Sequence, residues 1–163
     1  MPDSPPTATV STVALLAPVP LAHLIAGAEV VKKNGKVAFG SRAWNVFRQL
    51  DALRDGLPVD VWIYASHAQV GGPPKATWRA RYIGSVPATS SGAHPQGATF
   101  RPQSATDGGE DKAGHWAVFW EIEDLRELGP QEAMPVTHFQ GLDRKARYAK
   151  IFVPEGPLLV RAV

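Results

Sequence analysis

The chain contains no cysteine. Without thiols it has no disulfide bonds, no thiolate nucleophile and no cysteine-ligated zinc site, and such a composition is typical of proteins from a reducing compartment. We therefore expect a cytoplasmic protein whose stability comes from its core rather than from covalent cross-links. Its 163 residues are enough for one domain with a core of that kind.

The sequence motifs of common enzyme and cofactor classes are also missing. There is no G-x-S-x-G, no phosphate-binding P-loop and no dinucleotide-binding fingerprint. The five histidines show neither H-x-x-x-H nor H-E-x-x-H spacing. The sequence therefore predicts no metal site and no cofactor, and it favours a binding protein over an enzyme.

Net charge is small, because 17 basic residues are balanced by 15 acidic ones and leave a formal charge of +2. A protein that holds DNA by charge alone carries a much denser basic surface. The sequence pI of about 9.0 is mildly basic. The composition therefore permits a nucleic-acid partner without requiring one.

An apolar stretch at 10–31 raises the question of a secretory signal or a membrane span. Pro18, Pro20 and His23 interrupt it, and no lysine or arginine precedes it. A signal peptide begins with positive charge, and a spanning helix needs about 20 apolar residues. We therefore expect no membrane association, and we interpret the stretch as a buried strand followed by a helix that begins at Pro20.

Composition also predicts the domain organisation. Residues 1–9 include three prolines, two threonines and a serine, which predicts a disordered tail before a single domain at 10–163. Residues 87–114 are rich in Ser, Gly, Pro, Thr and Asp and contain scarcely any large apolar side chain. We expect this segment to be a mobile insertion between two strands.

Hydrophobic periodicity predicts an α+β fold. After the first helix, Trp44, Phe47, Leu50 and Leu53 recur at helical spacing and predict a second helix that Ser41 caps. Strands are expected at 12–17, 37–39, 59–66, 77–86, 115–123 and 149–153, with one or two helical turns at 124–128. Residues 158–160 are a candidate for a further edge strand. About six strands with two helices inserted early favour a small mixed or antiparallel β-barrel.

The order of these parts resembles a known superfamily. The segments LLAPVPLAHLIAGAEVVKKNGKVAFGS, VDVWIYAS, TWRARYIG and HFQGLDRKARYAKIFV are similar to PUA-like domains, in particular the ASCH and EVE branches. The resemblance implies a pseudobarrel that binds RNA or DNA and holds a modified or flipped base in an aromatic pocket between barrel and helices. The G-x-K-x-x-E-x-R motif common in ASCH domains does not follow Gly27, so the resemblance implies binding rather than catalysis.

Five tryptophans, several of them on short strands beside basic residues, indicate a flat, anionic ligand. Together with the resemblance, they suggest a pocket for a base. Its predicted members are Phe39, Ser41, Trp44, Tyr64, Ser66, His67, Trp78 and His138. The predicted phosphate-binding residues are Arg79, Arg81, Arg144, Lys145 and Arg147.

Two other functional classes stay open. One is a nucleoside or small-amide hydrolase of the ASCH type, which would depend on His67 or Lys36. The other is a protein-interaction module in which the segment 87–114 becomes ordered on a partner. The favoured interpretation is a monomer or weak homodimer that binds DNA or RNA.

Overall fold

A six-stranded sheet forms the centre of the protein in a computed structural model that describes residues 12–68, 72–107, 114 and 116–163. Its strands are β1 (Val13–Pro20), β2 (Val37–Ser41), β3 (Val59–Ser66), β5 (Trp78–Pro87), β6 (Val118–Glu127) and β8 (Leu158–Arg161). The helices are α1 (Leu21–Asn34), α2 (Trp44–Leu53) and α3 (Gln103–Asp107). Two short strands, β4 (Lys75–Ala76) and β7 (Met134–Pro135), pair with each other, and a 3-10 turn follows at Val136–His138.

The strand order is β2-β6-β5-β3-β1-β8, and only the β1–β3 pair is parallel. The α+β class and the two early helices are therefore confirmed, as is the antiparallel pairing of β3 with β5. The predicted closure into a barrel is wrong, because within the described residues the hydrogen-bonded ladder ends at β2 on one side and at β8 on the other.

The larger of two core clusters lies between the sheet and the helices α1 and α2. Phe47 is fully buried, and its ring stacks on those of Tyr82 and Trp120 at centroid distances of 5.9 and 5.6 Å. The helical stripe predicted for α2 is only half buried, because Trp44 and Leu53, at its two ends, are 55 % and 44 % exposed. The expected capping by Ser41 also differs: Ala43 is the N-cap residue, and the Ser41 hydroxyl accepts a hydrogen bond from the Ala43 amide at 3.0 Å.

Two local predictions fail near the C-terminal half. The helical turns expected at 124–128 are instead the end of β6, which pairs with β5 as far as Trp78 opposite Glu127. Cross-strand pairing here overrides local propensity, and the left-handed Asp124 (φ 54°) lies where the register with β5 shifts. The strand expected at 149–153 is absent, and those residues form a turn and irregular chain. The predicted start of β6 at His115 lies outside the described residues.

The insertion that follows β5 packs back onto the sheet in its described part. His94 and Arg101 are each 4 % exposed, and Ala105 on α3 is fully buried. Arg101 Nη1 donates a hydrogen bond of 2.7 Å to the Ala38 carbonyl on β2. The mobility predicted for 87–114 stays a prediction, and the predicted tail at 1–9 lies outside the residues that the structure describes.

Helix length bears on the membrane question. The longest helix, α1, has 14 residues. A helix that crosses a bilayer needs about 20. Across the described ranges, no helix is both long enough and apolar enough to do so.

Tyr82 on β5 couples stability to alkaline pH. Burial away from water raises the pKa of its phenol above the ordinary value of 10.0, and the nearby Asp51 carboxylate adds to the rise. The folded protein therefore holds this proton more tightly than the unfolded chain does. Its contribution to stability is complete below about pH 10 and falls above it, by up to about 1.4 kcal/mol per pH unit. We expect Tyr82→Phe to remove this part of the slope.

Urea unfolding followed at several pH values between about 8 and 11.5 measures that slope. Tyr64→Phe, which removes a half-exposed phenol, is the matched control and should keep the wild-type slope. An identical alkaline slope in Tyr82→Phe and wild type would contradict the assignment.

Candidate functional site

A cleft separates the free edges of β1 and β2. Strand β8 pairs with β1 only over Val13 to Leu16, so the second half of β1 has no strand on that side in the described chain. One cavity there is lined by both strands, with Pro18, Val19 and Pro20 from β1 and Phe39 and Gly40 from β2. We call this gap the β1–β2 cleft.

Prolines explain why the ladder stops on the β1 side. The Thr12 carbonyl accepts a hydrogen bond from the Ala162 amide, so the even-numbered residues of β1 turn their backbone groups towards this edge. Pro18 and Pro20 fall at the same edge and have no N–H to donate. Further pairing is therefore blocked where the cleft begins.

On the β2 side, the edge is half occupied. The Ala38 amide donates to the Phe100 carbonyl at 2.7 Å, and the Ala38 carbonyl accepts from Arg101. Gly40, two residues on, turns its N–H and C=O to the same edge. Neither group has a hydrogen-bond partner among residues 12–68, 72–107, 114 and 116–163. The cleft thus contains one backbone donor and one backbone acceptor side by side.

Aromatic rings form the walls. The Trp116 indole lies directly on Gly40, where a Cβ atom would be 2.5 Å from its Cδ2 atom. Only glycine leaves room for the ring there. Phe39 and Trp120 contact each other at a centroid distance of 5.2 Å, and Trp120 is backed by Phe47 from the core. The walls are therefore held rigidly by the packed interior.

Polar groups stand at both ends of the cleft. His23 and Arg101 line the end with a cavity of about 90 Å³, and the His23 Nδ1 atom is 2.6 Å from the Ser104 hydroxyl. The other end, about 200 Å³, is lined by Ser41, Arg42 and Glu155. Pro18, Gly40, Trp116 and Trp120 line both cavities, so the two spaces adjoin. The combination of apolar walls with a few polar groups is typical of small-ligand pockets.

The predicted base-pocket residues do not form one pocket. Phe39 and Ser41 line the cleft, and Trp44 lies exposed just beyond Arg42 at its mouth. Ser66 pairs with Pro20 across β1 and β3, and His67 lines an open depression with Pro20 and His23. These five therefore lie on or near the cleft.

The other three predicted members lie elsewhere. Tyr64 lines a separate cavity of about 100 Å³ with Pro73 and Pro74, which shares no lining residue with the cleft. Trp78 is buried in the core. His138 is exposed, with its Nδ1 atom 2.9 Å from the Met134 sulfur.

The predicted phosphate-binding residues fall into two groups. Arg79 and Arg81 form ion pairs with Asp60 and Glu123 at 3.4 and 3.5 Å, and the Arg79 guanidinium covers the Trp62 ring at 4.0 Å. The exposed residues Arg144, Lys145 and Arg147 lie on the loop that follows the 3-10 turn. The second group is the better placed for an anionic ligand, because the first already faces carboxylates.

A buried ionic network fixes the insertion to the sheet. Glu121 on β6 accepts hydrogen bonds from Lys36 at 2.9 Å and from His94 Nε2 at 3.1 Å. The Gln96 amide donates to His94 Nδ1, so the ring proton lies on Nε2 and is donated to Glu121. Lys36 is therefore engaged by Glu121, and no described cavity contains both Lys36 and His67, the two residues of the hydrolase alternative.

Sequence reasoning missed the residues that define the cleft. Pro18 and Pro20 were treated as interruptions of an apolar stretch, although two prolines at alternate positions of a strand indicate an unpaired edge. In the described part of the chain, no three His, Asp or Glu side chains cluster so as to hold a metal ion. No protein-family model matches this sequence, and no curated protein sequence matches it significantly.

Proposed function

We propose that this protein binds nucleic acid and holds one unpaired base in the β1–β2 cleft, with a modified base as the sharper form of the proposal. The observation that carries it is the edge of β2 at Gly40, where an N–H and a C=O without a hydrogen-bond partner in the described part of the chain meet aromatic walls. An unpaired base has the complementary needs: two faces that stack and an edge that both donates and accepts hydrogen bonds.

The fold supports the same location. Helix α1 connects β1 to β2, so the cleft lies between the sheet and the first inserted helix. The resemblance to PUA-like domains implies a base pocket at that place, although the sheet here is open rather than a closed pseudobarrel. Base stacking on aromatic side chains is worth about 1–3 kcal/mol per base.

Charge supports a small number of phosphate contacts. Arg42 lines the cleft, and the exposed Trp44 follows two residues later in the chain. A net charge of only +2 gives the protein little long-range attraction for a polyanion. We therefore expect affinity to fall with salt concentration, but less steeply than for a strongly basic DNA-binding protein.

Fluorescence anisotropy with labelled single- and double-stranded DNA and RNA, with and without modified cytosine or adenine, tests the proposal. We expect single strands to bind more tightly than duplexes, because a paired base must first be flipped out. Gly40→Ala pushes the Trp116 ring away from its place in the cleft and should weaken binding by about tenfold or more.

Gly129→Ala is the matched control, since its new Cβ meets only Glu132 Oε1 at an ordinary 3.5 Å. It should bind like the wild type. A thermal melt of each variant separates lost binding from lost folding. Wild-type protein that binds no strand at low salt would rule out the proposed function.

A further inference from the structure

A second cavity adjoins the cleft on the side of the basic loop. It has a volume of about 320 Å³ and lies between α2 and the chain before β8. We call it the loop cavity. Gln49, Arg144, Tyr148, Phe152 and Pro157 are among the residues that line it.

Planar groups are stacked along its wall. The rings of Tyr148 and Phe152 are 4.4 Å apart and nearly parallel, at 12°. The Arg144 guanidinium lies over the Tyr148 ring at 5.0 Å, and since Phe152 covers one face of that ring, Arg144 covers the other. Gly141 makes room for this stack, because a Cβ there would be 2.7 Å from the Tyr148 hydroxyl. The fold therefore fixes the Arg144–Tyr148–Phe152 stack, and its two outer members are both planar groups on which a base can stack.

The surroundings of the stack are positively charged. Residues 143–155 carry the exposed cations Arg144, Lys145, Arg147 and Lys150 against two exposed carboxylates, Asp143 and Glu155. Planar groups beside an excess of cations match a nucleotide, which has a stacking base and an anionic phosphate. An apolar peptide would gain nothing from these charges.

The loop cavity borders the cleft. Pro157 lines both spaces. Arg42 lines the cleft and Gln49 the loop cavity, and the exposed Trp44 lies between them in the chain. The two spaces therefore meet at Pro157, where a strand with one base in the cleft would cross to the stack.

We propose that the loop cavity is a second nucleotide subsite, which receives the base next to the one in the cleft. This inference rests on the proposed function. It specifies the ligand as a single strand at least two nucleotides long, because two neighbouring bases must unstack from each other to enter separate spaces.

Affinity as a function of strand length tests the subsite. The probes are fluorescein-labelled mono-, di- and tetranucleotides of DNA and RNA in each homopolymer sequence. We expect wild-type affinity to rise about tenfold from one nucleotide to two. Phe152→Ala and Arg144→Gln should abolish that rise, whereas Gly40→Ala weakens every length.

Ile151→Ser is the control variant in the same loop, because Ile151 is 85 % exposed and does not line the cavity. It should keep the tenfold rise. If Phe152→Ala does not fold, Arg144→Gln carries the test alone. A rise that persists in the folded variants, or wild-type protein that binds all lengths equally, overturns the subsite and leaves the proposed function intact. Absence of binding at every length overturns both.

Discussion

Glu121→Ala is expected to lower the free energy of unfolding by about 3 kcal/mol. Breaking a buried ion pair by removing one partner costs about 3–5 kcal/mol, because the remaining charge stays away from water. Here the Lys36 side chain keeps 30 % exposure and recovers part of its hydration, which places the effect at the lower end of that range. His94 loses the acceptor of its Nε2 proton as well.

The same substitution should release the insertion locally. His94 and Arg101 anchor residues 88–107 to the sheet, and Glu121 is the side-chain partner of His94. We therefore expect limited proteolysis to cut Glu121→Ala first within 88–107, while the wild type resists at the same protease concentration.

Urea unfolding followed by tryptophan fluorescence measures the stability change. Glu123→Ala is the matched control, because Glu123 lies two positions further along β6 and makes only a half-exposed pair with Arg81 at 3.5 Å. Its cost should stay below about 1 kcal/mol. Equal losses from the two alanine variants would show that burial of the Glu121 network contributes nothing.

Asp51→Ala should be almost as destabilising, at about 3 kcal/mol. The Asp51 carboxylate accepts hydrogen bonds from the Tyr82 hydroxyl, the Ser85 hydroxyl and Arg54 Nε, each at 2.9 Å. Hydrogen bonds to charged groups contribute about 1.5–3 kcal/mol each, and a third of the Asp51 side chain remains exposed, which reduces the sum. These bonds attach α2 to β5.

Asp51→Asn should fall between alanine and wild type in the same urea experiment, because the amide keeps one acceptor oxygen but loses the charge. The control is Asp60→Ala, which removes a 3.4 Å pair with Arg79 that is open to solvent. We expect less than about 1 kcal/mol from it. A loss no larger in Asp51→Ala than in Asp60→Ala would refute a docking role for the carboxylate.

Hydrophobic periodicity predicts those helices and strands whose burial pattern is contained in their own sequence. The run of apolar residues in β3 and the buried pair Phe47 and Leu50 in α2 were both predictable, because each pattern repeats within one element. The extension of β6 to Glu127 was not, since it depends on a partner strand some forty residues earlier in the chain. Burial of His94 had no local signal either, because its acceptor Glu121 is 27 residues away.

The candidate site was predictable only in part for the same reason. Phe39 and Ser41 both line the cleft, because they lie at alternate positions of one short strand. Tyr64 and Trp78 are aromatic and lie on strands, but they line a different cavity and the core, respectively. Which residues face each other across the cleft depends on where β1 stops pairing, and that follows from Pro18 and Pro20 combined with the length of β8.

Those two prolines also bear on how the protein avoids self-association. An open strand edge can pair with a strand of another molecule, and such pairing is the first step towards an intermolecular sheet. On β1 the donors for such addition are missing at Pro18 and Pro20. Replacing Pro18 and Pro20 would restore the missing N–H donors of β1. The restored edge would then be prone to pair with other molecules. The same two residues keep the β1–β2 cleft open and reduce the tendency of this edge to pair with another molecule.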